Sequence, residues 1–377
     1  LKARRAWPRE TAPTAALYHF YKRIGQVAGA DTLLERAQTE VRRGLSAGRF
    51  EPQLFSMAAM VAEIREQHDA AELARATLAA IEGEPANVEG AGVLAAQPEL
   101  DEHLAPEVFT PGFRSLLLAT GGIMDQAAPF DLSSLRARPL PANHADVHER
   151  TREIAAGYGL PDVQVFATSA LGETCIPARA DPPTLCFGLS LVAYDRADVR
   201  EFLIHRALKI LQTKTAALSR TAPIDLWPLL AAYLKIHSPS FNPPGVDVGR
   251  LNAFLGSMKE VAPGALNPQI GMLASEVISN IGNRASTLNT MANTWGSRAA
   301  LLAMGDLNVA LTAVALAHGV SEGVPASGPE RMRWIGRHAE ARELIVFAMS
   351  DGYAKARVQL GVANIEMIEA IPLSDEE

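Results

Sequence analysis

The chain has 377 residues, 35 of them basic and 42 acidic, for a net charge of -7. It has length for two or three domains, but no concentrated basic face of the kind a nucleic-acid phosphate backbone requires. Hydrophobic residues make up 48%, enough for ordinary cores, and aromatics only 6%, which together with abundant alanine favours closely packed helices.

Leu1 is not an initiator methionine. The chain is therefore expected to be a piece of something longer, with a signal peptide or upstream domains left open. Lys2, Arg4, Arg5 and Arg9 form the one locally basic stretch and read as a solvated terminus. No apolar run reaches the roughly 18 residues of a membrane span, and a cytoplasmic location is expected.

Residues 11–82 predict two pairs of helices, AALYHFYKRIGQ with ADTLLERAQTEVRRGL, then PQLFSMAAMVAEIREQ with AAELARATLAAIEG. The turns are expected at 27–30 and 67–70. Each pair runs from a long helix through a short turn into a helix rich in Ala and Leu. This resembles tetratricopeptide-like hairpins, in which small residues let adjacent helices approach closely. Two hairpins are fewer than the three or more that usually stand alone, which implies a longer array or a cap from the next domain.

Residues 83–92 read as a polar loop, and 105–124 as a short helical stretch anchored by Phe109 and Phe113. The Pro- and Arg-rich stretch 130–141 reads as an extended linker. The expected organisation is helical hairpins over 1–90, a connecting segment over 91–140, a second domain over 141–365 and an acidic tail over 366–377, with its LSDEE end disordered.

From Asn143 the texture changes. ADVHERTREIAAGYGL predicts a helix ended by glycine, and VQVFAT, TCIPA and TLCFGL predict strands. Residues 195–211 predict a helix, followed by helices over roughly 213–218, 225–236, 248–261, 268–292, 295–318 and 328–350, with GYAKARVQLG closing the fold. The fold class is mainly α with a small β region, α+β. Cys175 and Cys186 are too few for a disulfide scaffold or a Cys-rich zinc site. They flank a turn and could face each other across a hairpin; a pair of buried free thiols is the preferred reading.

The stretch VREFLIHRALKIL carries His205 on an apolar helix. It follows a helix and a small strand region through PTLCFGLSLVAYDRADVREFLIH, and a later stretch reads NTWGSRAALLAMGD. This order and these stretches resemble the gluzincin metallopeptidases of the CaaX-prenyl-protease and heat-shock-protease type. They are similar, more narrowly, to long repeat proteins of predatory and gliding deltaproteobacteria that end in a degenerate domain of this kind. The resemblance places His205 at the first zinc-ligand position and Arg206 at the general base. It places Lys209 at the second ligand, Asn293 at the third, and Ser297 at a family Asp.

A catalytic zinc needs about three protein ligands and an open water site. It also needs a carboxylate beside the first histidine to take the water's proton. Lys209 repels a metal, Arg206 accepts no proton, and Asn293 is a weak neutral donor. The resemblance thus implies a dead site, with no catalytic residue, no metal and no cofactor. A lone histidine on an apolar helix is by itself most often a core residue, and both readings leave His205 without zinc chemistry.

Arg206, Lys209, Asn293, Ser297 and Arg298 are candidates to line a remnant cationic cleft suited to a carboxylate or an acidic peptide. The preferred alternative pairs Arg206 or Lys209 with Glu201 or Asp198 on the same helix. The Asn-, Ser- and Gly-rich stretch 267–293 reads as tight helix packing, or as a groove floor for a peptide. In NHADVHE, His144 and His148 stand four apart and could share a metal. No third ligand is identifiable, and Asn143 or Asp146 suits a helix cap. No nucleophile elbow or phosphate-binding glycine loop is present. The expected function is a non-enzymatic scaffold with unidentified protein partners and no nucleic-acid role. A metal-dependent hydrolase using His144 and His148 is the alternative.

Overall fold

The structure, a computed structural model, describes residues 10–86, 88–92, 94, 97–262, 267–320 and 323–365. The basic stretch Lys2–Arg9 and the tail 366–377 lie outside the described residues. The fold is mainly helical, 67% helix and 6% strand, with one small mixed sheet. Among the described residues no helix is long and apolar enough to cross a membrane.

The described residues open with four helices: α1 (Thr11–Arg23), α2 (Val27–Ser46), α3 (Pro52–Ile64) and α4 (His68–Glu82). They form two antiparallel hairpins, with α2 packed against both α1 and α3. The amphipathic spacing is plain in α2, which buries Ala30, Leu34, Ala37, Val41 and Leu45. The turns fall a few residues earlier than expected. They sit at Gly25 (φ 76°) and Glu66 (φ 61°), whose left-handed backbone ends one helix and lets the next start at once.

Next come α5 (Asp101–Leu104), α6 (Pro111–Thr120) and α7 (Gly122–Ala127). Thr110 caps α6 by accepting the Phe113 N–H at 3.3 Å, and Phe109 and Phe113 are both buried, as expected of anchors. The stretch expected to be a linker contributes an edge strand, β1 (Arg138–Pro139). It is followed by α8 (Ala145–Gly157), β2 (Gln164–Thr168), β3 (Cys175–Ala180) and β4 (Pro183–Gly188).

The sheet order is β1-β2-β4-β3, with β2 and β4 parallel and both outer pairs antiparallel. Cys175 lies opposite Phe187 and Cys186 opposite Ile176. Successive residues of a strand face opposite sides, so this register puts the two thiols on different faces. Both cysteines are free and buried, and the hairpin disulfide is not formed.

Then follow α9 (Leu189–Val192), α10 (Ala197–Gln212), α11 (Ala216–Arg220), α12 (Pro223–His237), α13 (Val248–Val261), α14 (Pro268–Ile281) and α15 (Leu288–Met304). The last four are α16 (Leu307–Ala317), α17 (Gly328–Arg337), α18 (Ala339–Ala348) and α19 (Asp351–Gln359). Three long helices expected from periodicity are each interrupted. A 3-10 turn over Gly282–Thr287 separates α14 from α15. The Asp306 carboxylate accepts the Asn308 and Val309 N–H groups and starts α16 afresh. His338 is extended between α17 and α18.

The chain divides into two compact units. One holds Leu1–Gly92, Leu301–Ala315 and Val320–Glu377, the other Val93–Ala300 and Leu316–Gly319. The division therefore does not run at a single point of the sequence, as a break between about 90 and 140 would. In the first unit, α17 and α18 pack on α4 and close the second hairpin on that side. Arg331 of α17, 3% exposed, donates to the Ala80 carbonyl at the end of α4. In the second unit, α10 lies against β3, β4, α8 and α11.

Candidate functional site

Eleven of the sixteen residues of α10 are buried, His205, Arg206 and Lys209 among them. The helix is central to its unit, so every polar group on it must find a partner inside the protein. Three groups of partners meet these side chains, from α8, from α5 with its neighbours, and from α15.

His205 is 1% exposed. Its Nδ1 shares a hydrogen bond with the Tyr158 hydroxyl at 3.0 Å, the two rings meeting edge-on at 5.7 Å. Burial, with a smaller contribution from Arg150, pushes the imidazole down to about 3. Burial likewise raises the Tyr158 phenol above the ordinary tyrosine value. Both groups are neutral across the physiological range.

Lys209 extends away from His205. Its ammonium meets Asp101 Oδ1 at 2.5 Å and Gln212 Oε1 at 2.7 Å, and lies 5.8 Å from the centre of the Trp295 ring. Trp295 Nε1 donates to the same Asp101 oxygen at 3.0 Å, and Gln212 donates to the Tyr158 carbonyl. Burial pushes the Lys209 ammonium below the usual lysine value, while Asp101 pulls the other way. Asp101, Lys209, Gln212, Tyr158 and His205 thus form one connected polar chain through the interior.

Arg206 turns to α15. Its Nε donates to Ser297 Oγ at 3.0 Å and its Nη2 to Asn293 Oδ1 at 2.9 Å. Ser297 and Asn293 stand four apart on α15 and so share a face. The Asn293 amide nitrogen donates in turn to the Ser219 and Asn289 carbonyls, both at 2.9 Å. The approach of the two helices depends on Gly296. A Cβ there would lie 2.6 Å from the Arg206 carbonyl oxygen and 3.0 Å from Ile210. Arg298 reaches the Leu104 carbonyl at 3.4 Å.

The structure therefore gathers all six singled-out residues, His205, Arg206, Lys209, Asn293, Ser297 and Arg298, around the crossing of α10 and α15. Asn293 contacts Arg206, while His205 and Lys209 are engaged elsewhere. Arg206, Lys209 and Ser297 are 6%, 4% and 0% exposed, and are engaged with partners in the interior rather than facing an open cleft. The expected pairing of Arg206 or Lys209 with Glu201 or Asp198 is not made. Glu201 is held by Arg150 of α8 through two bonds of 3.1 and 2.8 Å, and Asp198 by Arg196 at 2.7 Å. Sequence reasoning missed Tyr158, Asp101, Gln212 and Gly296; nothing in their local spacing links them to α10.

No protein-family model, curated protein or solved structure matches the chain.

His144 lies in a 3-10 turn before α8, where Asn143 Nδ2 approaches its Nε2 at 3.3 Å. It occupies the N-cap position itself, without a side-chain cap, so the expected capping by Asn143 or Asp146 is not formed. His148 lines a shallow surface concavity with Glu149, Arg152 and Glu153. Among the described residues no three His, Cys, Asp or Glu side chains are grouped so as to hold a metal. Burial raises both thiols, Cys186 to about 11, which leaves them protonated and unreactive.

Proposed function

We propose that the chain is a non-enzymatic protein-interaction protein, a scaffold whose helical hairpins offer the binding surface. On this reading the crossing of α10 and α15 keeps the frame of a zinc-peptidase helix pair and uses it for packing. The observation that supports it most directly is the state of the two cations. A guanidinium stands where a water-activating carboxylate is required, held by Ser297 and Asn293. An ammonium stands at the second ligand, held by Asp101. A metal placed between them would be repelled by both. The one histidine of the set shares its ring nitrogen with a buried phenol.

The test is zinc stoichiometry. The chain is purified without chelators, exposed to one equivalent of zinc and dialysed, then measured by elemental analysis beside a casein-hydrolysis assay. Less than a tenth of an equivalent and no hydrolysis is the expected result. One zinc per chain, lost on His205→Ala or on His144→Ala with His148→Ala, would overturn the proposal. Its positive half requires a purified protein partner whose binding survives Arg206→Met, since Arg206 serves the interior and not the surface.

A further inference from the structure

The first hairpin has a face that no described residue covers. Ala12, Ala16, Phe20 and Ile24 recur every four residues along α1 and so share one side of it, and all four are exposed. The stripe is widest at the turn into α2, where Phe20 is 52% exposed, Ile24 48% and Val27 49%. Three large apolar side chains within eight residues go beyond the single scattered ones that a surface ordinarily carries. Arg23 stands at the rim, exposed and without an ion pair among the described residues. Lys22 beside it is shared between Asp31 at 3.6 Å and the Tyr18 ring.

The C-terminal end of the described chain lies at the same end of the hairpins. The Asn364 N–H donates to the Asp69 carboxylate at 2.6 Å, on the first turn of α4. Because α1 to α4 alternate in direction through short turns, the α1–α2 turn, the α3–α4 turn and Asp69 all fall at one end of the stack. Packed helices stand about 8–10 Å apart, which puts the patch within roughly 30 Å of Asn364. Twelve further residues, extended, reach about 40 Å.

Those residues, 366–377, read EMIEAIPLSDEE. Met367, Ile368, Ile371 and Leu373 are interleaved with Glu366 and Glu369 and followed by Asp375, Glu376 and Glu377, with no basic residue. An apolar, acidic segment thus follows Asn364, and the apolar patch carries a cation, Arg23, with no ion pair among the described residues. We propose that residues 366–377 dock on the Phe20, Ile24 and Val27 patch, apolar side chains inward and carboxylates toward Arg23. A second copy of the chain is the weaker occupant, because a two-fold axis through the patch would set Arg23 against Arg23. The tether favours the segment, since a linked ligand acts at millimolar effective concentration.

The full chain tests this with a photo-crosslinking phenylalanine in place of Ile371 and mapping by mass spectrometry. Crosslinks within one monomer should concentrate on residues 18–28. They should fall at least tenfold in Phe20→Asp with Ile24→Asp, and severalfold at low salt in Arg23→Glu. Circular dichroism of each variant confirms the fold, which half-exposed positions leave intact. Crosslinks that map elsewhere, that join two copies, or that are unchanged by Phe20→Asp with Ile24→Asp each overturn the proposal.

Discussion

His205 ties the stability of the fold to pH with a definite sign. Burial holds its folded value at about 3 against an ordinary histidine value of 6.5. Between those limits the unfolded chain takes up a proton that the folded chain refuses. The contribution of His205 is therefore fully present above about pH 6.5 and is lost as pH falls toward about 3, at up to about 1.4 kcal/mol per unit. His205→Gln is expected to be less stable at pH 8, because it strands the Tyr158 hydroxyl, yet to lose less between pH 7 and pH 5. Urea unfolding at the two pH values checks it, and parallel losses in both proteins would sink the assignment.

Two glycines make a second contrast at this scale. Gly296→Ala sets a methyl 2.6 Å from a backbone oxygen that cannot step aside and should cost about 2 kcal/mol. Gly256→Ala, inside α13 with nothing within 4 Å, should stabilise by about 0.5–1 kcal/mol. Thermal melts of the two variants should move in opposite directions.

Between elements, the strongest dependence is that of α10 on Asp101. The Lys209 side chain is 5% exposed, and the Asp101 carboxylate is the anion paired with it. Asp101→Asn should cost about 3 kcal/mol, because it leaves a buried ammonium without its counter-charge, and adding Lys209→Met should recover more than half of that. A double-mutant cycle decides; strict additivity would mean the two groups do not act as a pair.

At this scale the sequence was partly transparent. Spacing and composition revealed the four opening helices, three of the four strands and α10, because those signals lie within each segment. What α10 touches was not legible. Arg206 and Lys209 have carboxylates close by on their own helix, yet Glu201 goes to Arg150 of α8 and Lys209 to an aspartate more than a hundred positions away. Local spacing orders neighbours along one helix; competition between helices decides who pairs. The interruptions at Gly282 and Asp306 were missed for a related reason, since apolar periodicity continues through both while the backbone does not.

For the whole molecule, the consequential fact is that the unit holding the hairpins is assembled from both ends of the chain. The face of α4 is closed by α17 and α18, with Arg331 at the Ala80 carbonyl. A fragment ending near residue 92, where the sequence alone suggests a cut, should not unfold cooperatively. The expected outcome is a shallow, non-sigmoidal circular-dichroism melt, whereas the intact chain melts with a defined midpoint. A sharp transition in the fragment would show that the hairpins need no closure.

The same connectivity sets an order of events at the ribosome. Some 250 residues separate the end of α4 from the helices that cover it. At about 5–20 residues per second, the nascent hairpins wait on the order of ten to fifty seconds with that apolar side bare. During this interval the growing polypeptide is a substrate for holding chaperones, and a stalled or truncated translation product would be degraded or aggregate rather than persist as a half-protein.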